Sequence, residues 1–62
     1  MKKIKISEER LYEVCERFEY GITADDPNEI EIFNGKVRIG IAVSKDSVYN
    51  LDINPKYENL FR

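Results

Sequence analysis

Asn34-Gly35 stands between two stretches in which apolar residues alternate with polar or small ones, Glu29-Ile30-Glu31-Ile32-Phe33 and Lys36-Val37-Arg38-Ile39-Gly40-Ile41-Ala42-Val43. Few short features restrict a fold as tightly. Asn-Gly between alternating runs signals a β-hairpin, because a type I′ turn needs positive φ at both central residues. A two-residue loop pairs Ile32 with Val37 and Ile30 with Ile39, leaving Glu31 opposite Arg38 on the other face. Apolar then meets apolar, and charge meets opposite charge.

A second turn follows at Ser44-Lys45-Asp46-Ser47, ahead of Val48-Tyr49-Asn50-Leu51-Asp52-Ile53. A two-residue turn at Lys45-Asp46 sets Ile41 against Asn50. A three-residue loop, Lys45 to Ser47, sets Val43 against Tyr49, Ile41 against Leu51 and Ile39 against Ile53. A one-residue slip flips every side chain, so the three-residue loop is preferred. The expectation is a three-stranded meander with one apolar face.

Upstream, Lys3-Ile4-Lys5-Ile6 alternates as a short strand. Ser7 is placed as a helix N-cap, with Glu8 and Glu9 in a first turn where the helix dipole favours negative charge. Ile6 and Leu11 occupy the positions of a hydrophobic staple. At 100° per residue, a helix over 8–20 carries Leu11, Val14, Cys15 and Phe18 on one side, and Gly21 terminates it. Residues 22–28, with Asp25, Asp26, Pro27 and Asn28, have turn chemistry and are expected to be a loop. Asn54-Pro55 opens a last helical turn whose Tyr57, Leu60 and Phe61 are spaced to dock one side.

These elements predict one α+β domain over residues 1–62, an amphipathic helix packed on a small, mainly antiparallel sheet. The order is β-α-β-β-β with a C-terminal helical turn. The first strand is expected to run parallel to one edge of the meander through a right-handed crossover.

A chain of 62 residues with a single cysteine and no histidine closes no internal disulfide and holds no ordinary structural zinc. A thin core must carry the fold, or self-association must help it. The start, Met1-Lys2-Lys3-Ile4, lacks the apolar run of a signal peptide, and no stretch approaches membrane-spanning length. A reducing cytoplasm is expected.

Ten basic residues against twelve acidic ones argue against direct nucleic-acid binding. The helix–strands–helix order is similar to that of the double-stranded-RNA-binding domain. That family needs a basic cluster at the start of its last helix, where only Lys56 stands here, so its function does not carry over. Cys15 has no histidine to activate it and falls on the apolar side of the helix. Asp25, Asp26 and Glu29 lack the spacing of a calcium loop, and Gly21, Gly35 and Gly40 make no phosphate loop. Asn54-Pro55-Lys56-Tyr57 resembles the peptide bound by some adaptor domains, but helix initiation accounts for it. The expectation is a chain with no catalytic residues, no cofactor and no metal.

What remains is surface. Glu9, Tyr12, Glu13, Glu16, Glu19 and Tyr20 project from the helix away from its apolar side, with Glu8 beside them. Exposed acid steers basic partners, and tyrosine is enriched at interfaces. The leading expectation is therefore a small acidic protein that binds, and inhibits or modulates, a macromolecule with a basic surface. In size and charge it resembles small acidic inhibitors encoded by phages and mobile elements. The alternative is a homo-oligomeric structural or accessory module assembled through sheet edges.

Overall fold

The computed structural model describes residues 2–62, with only the backbone of Lys2. The first strand, β1 (Lys2–Ser7), runs straight into α1 (Glu8–Arg17). Four strands follow: β2 (Gly21–Asp26), β3 (Glu29–Asn34), β4 (Val37–Lys45) and β5 (Val48–Ile53). A 3-10 turn over Pro55–Tyr57 leads into the short helix α2 (Glu58–Phe61). The strands form one antiparallel sheet in the order β1-β5-β4-β3-β2, a small α+β fold.

The N-terminal half of α1 forms for the local reasons its sequence supplies. The Ser7 side chain accepts the backbone N–H of Arg10 at 3.2 Å, and Ile6 and Leu11 are both buried. The helix ends earlier than expected, at Arg17, and Gly21 has no part in stopping it. Glu19 takes the left-handed position with φ 58°. Its N–H donates to the Glu16 carbonyl at 3.2 Å, and the Tyr20 N–H donates to the Cys15 carbonyl at 2.9 Å. This pair of bonds is a Schellman ending with glutamate where glycine is usual.

Residues 21–26 are a strand and not a loop. β2 pairs with β3 through Gly21–Phe33, Ile22–Ile32 and Thr23–Glu31, then breaks register before Asp26 meets Glu29. Only Ile22 faces inward, so this edge strand lacks the apolar alternation that announces a strand.

The expected parallel pairing of β1 does not form. β1 and β2 do run the same way, as a helical crossover requires, but they lie at opposite edges of the sheet. β1 pairs antiparallel with β5, setting Ile4 against Leu51 and Ile6 against Tyr49.

Both hairpins depart from the expected register. At the first, Asn34 ends β3 opposite Val37, so the two-residue loop is Gly35-Lys36. Positive φ falls on Gly35 alone, at 65°, the pattern of a type II′ turn and not type I′. Asn34 gains a bond from its Nδ2 to the Tyr57 hydroxyl at 3.2 Å. Phe33 pairs with Arg38, Ile32 pairs with Gly40, and Ile39 is left as a bulge between them. The Ile39 carbonyl is satisfied from outside the hairpin, accepting the Asn54 N–H at 2.8 Å. The expected attraction of Glu31 for Arg38 survives as a 3.0 Å ion pair, although Glu31 faces Ile41 in the ladder.

At the second hairpin the loop is Asp46-Ser47, both with positive φ (52° and 69°), the type I′ pattern. It sets Ala42 against Leu51 and Gly40 against Ile53, while Val43 and Ile41 face Asn50 and Asp52. Past the bulge, β4 therefore points Gly40 and Ala42 inward and Ile41 and Val43 outward, opposite to expectation. The interior leaves little room for more. A Cβ on Gly40 would lie 2.8 Å from Ile53 Cδ1 and 3.2 Å from the Asp52 carbonyl oxygen.

The core lies on one face of the sheet. Ile30, Ile32, Ile39, Ala42, Tyr49, Leu51 and Ile53 form its floor, with Leu11, Val14 and Cys15 of α1 and Phe61 of α2 above. As expected, Asn54 caps the final turn by accepting the Lys56 N–H at 3.0 Å, and Tyr57 and Leu60 pack against the cluster. The other face of the sheet is left uncovered by the chain's helices.

Candidate docking surfaces

Two surfaces carry the chemistry, the exterior of α1 and the uncovered face of the sheet. On α1, burial of Leu11, Val14 and Cys15 fixes the helix rotation and turns Glu9, Glu13 and Glu16 to the outside. All three are exposed, and Tyr12 beside them is 41% exposed. Glu13 pairs with Arg10 at 2.6 Å, so its charge is partly offset. Glu19 lies past the helix end and is exposed.

Tyr20 does not belong to that stripe. The Schellman turn folds it inward, where it stacks on Phe61 with ring centroids 6.4 Å apart and meets Tyr57 edge-on at 5.9 Å. Its hydroxyl pKa is raised by burial first, then by Tyr57 and Cys15. Phe18 takes the opposite course. It was expected in the core, but it caps the helix, is 42% exposed and stacks on Tyr20 at 5.7 Å. Helical period alone puts Phe18 on the buried side, and only the early end of the helix frees it.

Cys15 is buried, and that burial pushes its thiol from 9.0 up to about 11, which keeps it protonated and unreactive at neutral pH. Asp26 Oδ1 accepts the Asn28 N–H at 2.8 Å, so this acid organises the β2–β3 turn. Among the described residues no three Asp, Glu or Cys side chains stand close enough to hold a metal ion. Among the described residues no helix is long and apolar enough to cross a membrane.

The uncovered sheet face has an ordered distribution of charge, set by the register. One row across the five strands reads Lys5, Asn50, Val43, Glu29, Asp26. The next reads Lys3, Asp52, Ile41, Glu31, Thr23. The β1 side thus carries Lys3 and Lys5, the β3–β2 side carries Glu29, Glu31 and Asp26, and apolar side chains lie between them. Lys45 and Arg38 stand at the two ends of β4 on this face. Val43 is 43% exposed, while Ile41, Val48 and Phe33 are half-buried. A groove of about 480 Å³ runs between Lys3, Ile41, Val43, Asn50 and Asp52. Within it, Asp52 Oδ1 is buried with no hydrogen-bond partner. Strand alternation in the sequence already places Glu29, Glu31, Phe33, Arg38, Val48, Asn50 and Asp52 on this face, but it also turns Gly40 and Ala42 outward, where the structure has Ile41 and Val43.

The chain matches no protein-family model, no curated protein and no solved structure.

Proposed function

We propose that this chain is a non-enzymatic cytoplasmic binding protein that occupies a basic surface on another macromolecule with the exterior of α1, inhibiting or modulating that partner. The observation that supports it is Tyr12, a large amphipathic ring left 41% exposed beside Glu9 and Glu16 on a helix whose other side is fully used by the core. Such a ring supplies contact area at low entropic cost, and the surrounding carboxylates steer a cationic partner toward it. Beyond a Debye length of about 8 Å at physiological salt the attraction is screened, so the partner's basic groups must reach the stripe itself.

The test is immobilised-chain capture from a lysate at low and high salt, followed by binding kinetics with the captured partner. Replacing Glu9, Glu13 and Glu16 together by lysine preserves the fold, because all three are exposed, and slows association. Tyr12→Ala speeds dissociation, as truncation of an interface anchor does at a cost of about 2 kcal/mol or more. Folded variants that bind the partner with unchanged rates would reduce the stripe to a solvated face.

A further inference from the structure

The outer side of β1 is an open sheet edge lined with cations, and we infer that it takes up an extended acidic segment of a partner protein as a sixth strand. Among the described residues β1 pairs with β5 alone. The register shows which of its backbone groups are unused. A two-residue loop makes Lys45–Val48 a hydrogen-bonded pair. The Ser44 N–H then points away from β5, and it does donate to the Asn28 carbonyl, at 2.8 Å, on the β3 side. Alternation along β5 turns the N–H and C=O groups of Tyr49 and Leu51 toward β1, where they face Ile6 and Ile4. Lys3 and Lys5 are left with N–H and C=O directed outward, the pattern that an added antiparallel strand satisfies.

Charge sets the occupant. A groove of about 530 Å³ lies along this edge, and every charged side chain lining it is basic: Lys3, Lys5, Arg10 and Arg62. Glu13 and Glu58 offset the two arginines, whereas among the described residues no ion pair engages either lysine. Asp52, opposite Lys3 in the ladder, lies one strand inward. Residues directly opposite in an antiparallel pair share a face, so an acid facing Lys3 and another facing Lys5 each meet a cation. The residue between them falls on the side of Ile4, which is half-buried and has apolar surface left to cover. The segment that fits therefore reads acidic, apolar, acidic. A second copy supplies no such strand. Two β1 edges set lysine against lysine, and β2 loses register after Thr23, ahead of its aspartates. Nucleic acid would meet the cations but leave the outward N–H and C=O groups without their alternating partners.

The probe is a capped, fluorescein-labelled peptide, Thr-Glu-Val-Glu-Thr, titrated with the full chain by fluorescence anisotropy. Saturable binding is expected, weaker at high salt. Lys3→Glu with Lys5→Glu, both exposed positions, should raise the dissociation constant about tenfold or more, with far-UV circular dichroism confirming the fold. N-methylation of the two glutamates, whose N–H groups face the Lys3 and Lys5 carbonyls, should abolish binding. N-methylation of the central valine, whose N–H faces away, should be tolerated. Amide exchange at Lys3 and Lys5 should slow in the complex, while Ile4 and Ile6, already bonded to β5, change little. Tyr12→Ala should bind the peptide as the wild type does, which separates this edge from the exterior of α1. No saturable binding up to about 1 mM overturns the inference. So does binding that is indifferent to glutamate N-methylation, because charge alone would then account for it and a thymidine oligonucleotide would compete equally well.

Discussion

Gly40 shows how a single residue can determine what an element is allowed to present. Glycine in a strand interior ordinarily costs stability relative to alanine, through backbone entropy and a missing side chain. Its φ lies outside the positive range, so the backbone itself would accept alanine. The space does not, since an added Cβ meets Ile53 Cδ1 at 2.8 Å and the Asp52 carbonyl oxygen at 3.2 Å. Overpacking of this kind costs about 1–3 kcal/mol, more than the entropy that alanine returns. Gly40→Ala should therefore lower the urea midpoint. In an Ile53→Val background, where Cδ1 is gone, the same change should cost distinctly less. Equal costs in the two backgrounds would show that the Ile53 methyl is not the obstacle.

Among the elements, the turns are where local preference and tertiary demand part company. Asn34-Gly35 has the chemistry of a type I′ turn but does not form one, whereas Asp46-Ser47 lacks glycine and adopts positive φ at both positions. Left-handed backbone costs a non-glycine residue roughly 1–2 kcal/mol, less for aspartate than for serine. Replacing Asp46-Ser47 by Asn-Gly should thus stabilise the protein by about 1 kcal/mol, read as a higher melting temperature. No gain would mean that the turn is not strained. Legibility followed the same division. The capped start of α1, the inward phases of β3 and β5 and the Asn54 turn were readable because adjacent residues decide them. The phase of β4 beyond Ile39 was not, because a bulge costs the local pattern nothing visible and answers to crowding from Ile53 and to the Asn54–Ile39 bond. β2 was missed because an exposed edge strand has no apolar alternation to read. On α1, Glu9, Tyr12, Glu13 and Glu16 followed from helical period. The exchange of Tyr20 for Phe18 at the surface depended on where Glu19 bends the chain, which period cannot foresee.

At the scale of the whole molecule, the core is uniformly intolerant of charge. Cys15, Tyr20 and Tyr49 all have raised pKa values with burial as the leading cause, followed by Tyr57 and Cys15 at Tyr20 and by Glu8 and Tyr12 at Tyr49. Each loses its proton more readily in the unfolded chain. Between the unfolded thiol value of 9.0 and the folded value of about 11, the native state holds more protons than the unfolded one, so stability falls as pH rises. Below pH 9 the contribution is fully present. The Cys15 shift is worth up to about 3 kcal/mol, and the tyrosines extend the decline above pH 10. Urea unfolding at pH 7, 9 and 10.5 should show a midpoint that is flat and then drops, with a shallower drop for Cys15→Ala. A midpoint unchanged to pH 10.5 would contradict the assignment. The exterior of α1 and the uncovered sheet face lie on opposite sides of this core, so each can be altered without touching the other.

The pairing of β1 with β5 also has a consequence in time. During synthesis the first strand made must wait for the last, since Ile4 and Ile6 find their partners only when Leu51 and Tyr49 have emerged. Strands β2 to β5 form consecutive hairpins whose contacts are local, and these assemble early. The β1–β5 ladder closes a loop of more than forty residues and is reached last, against the greatest loss of chain entropy. Until then Ile4 and Ile6 lack the strand partners that they have in the folded chain.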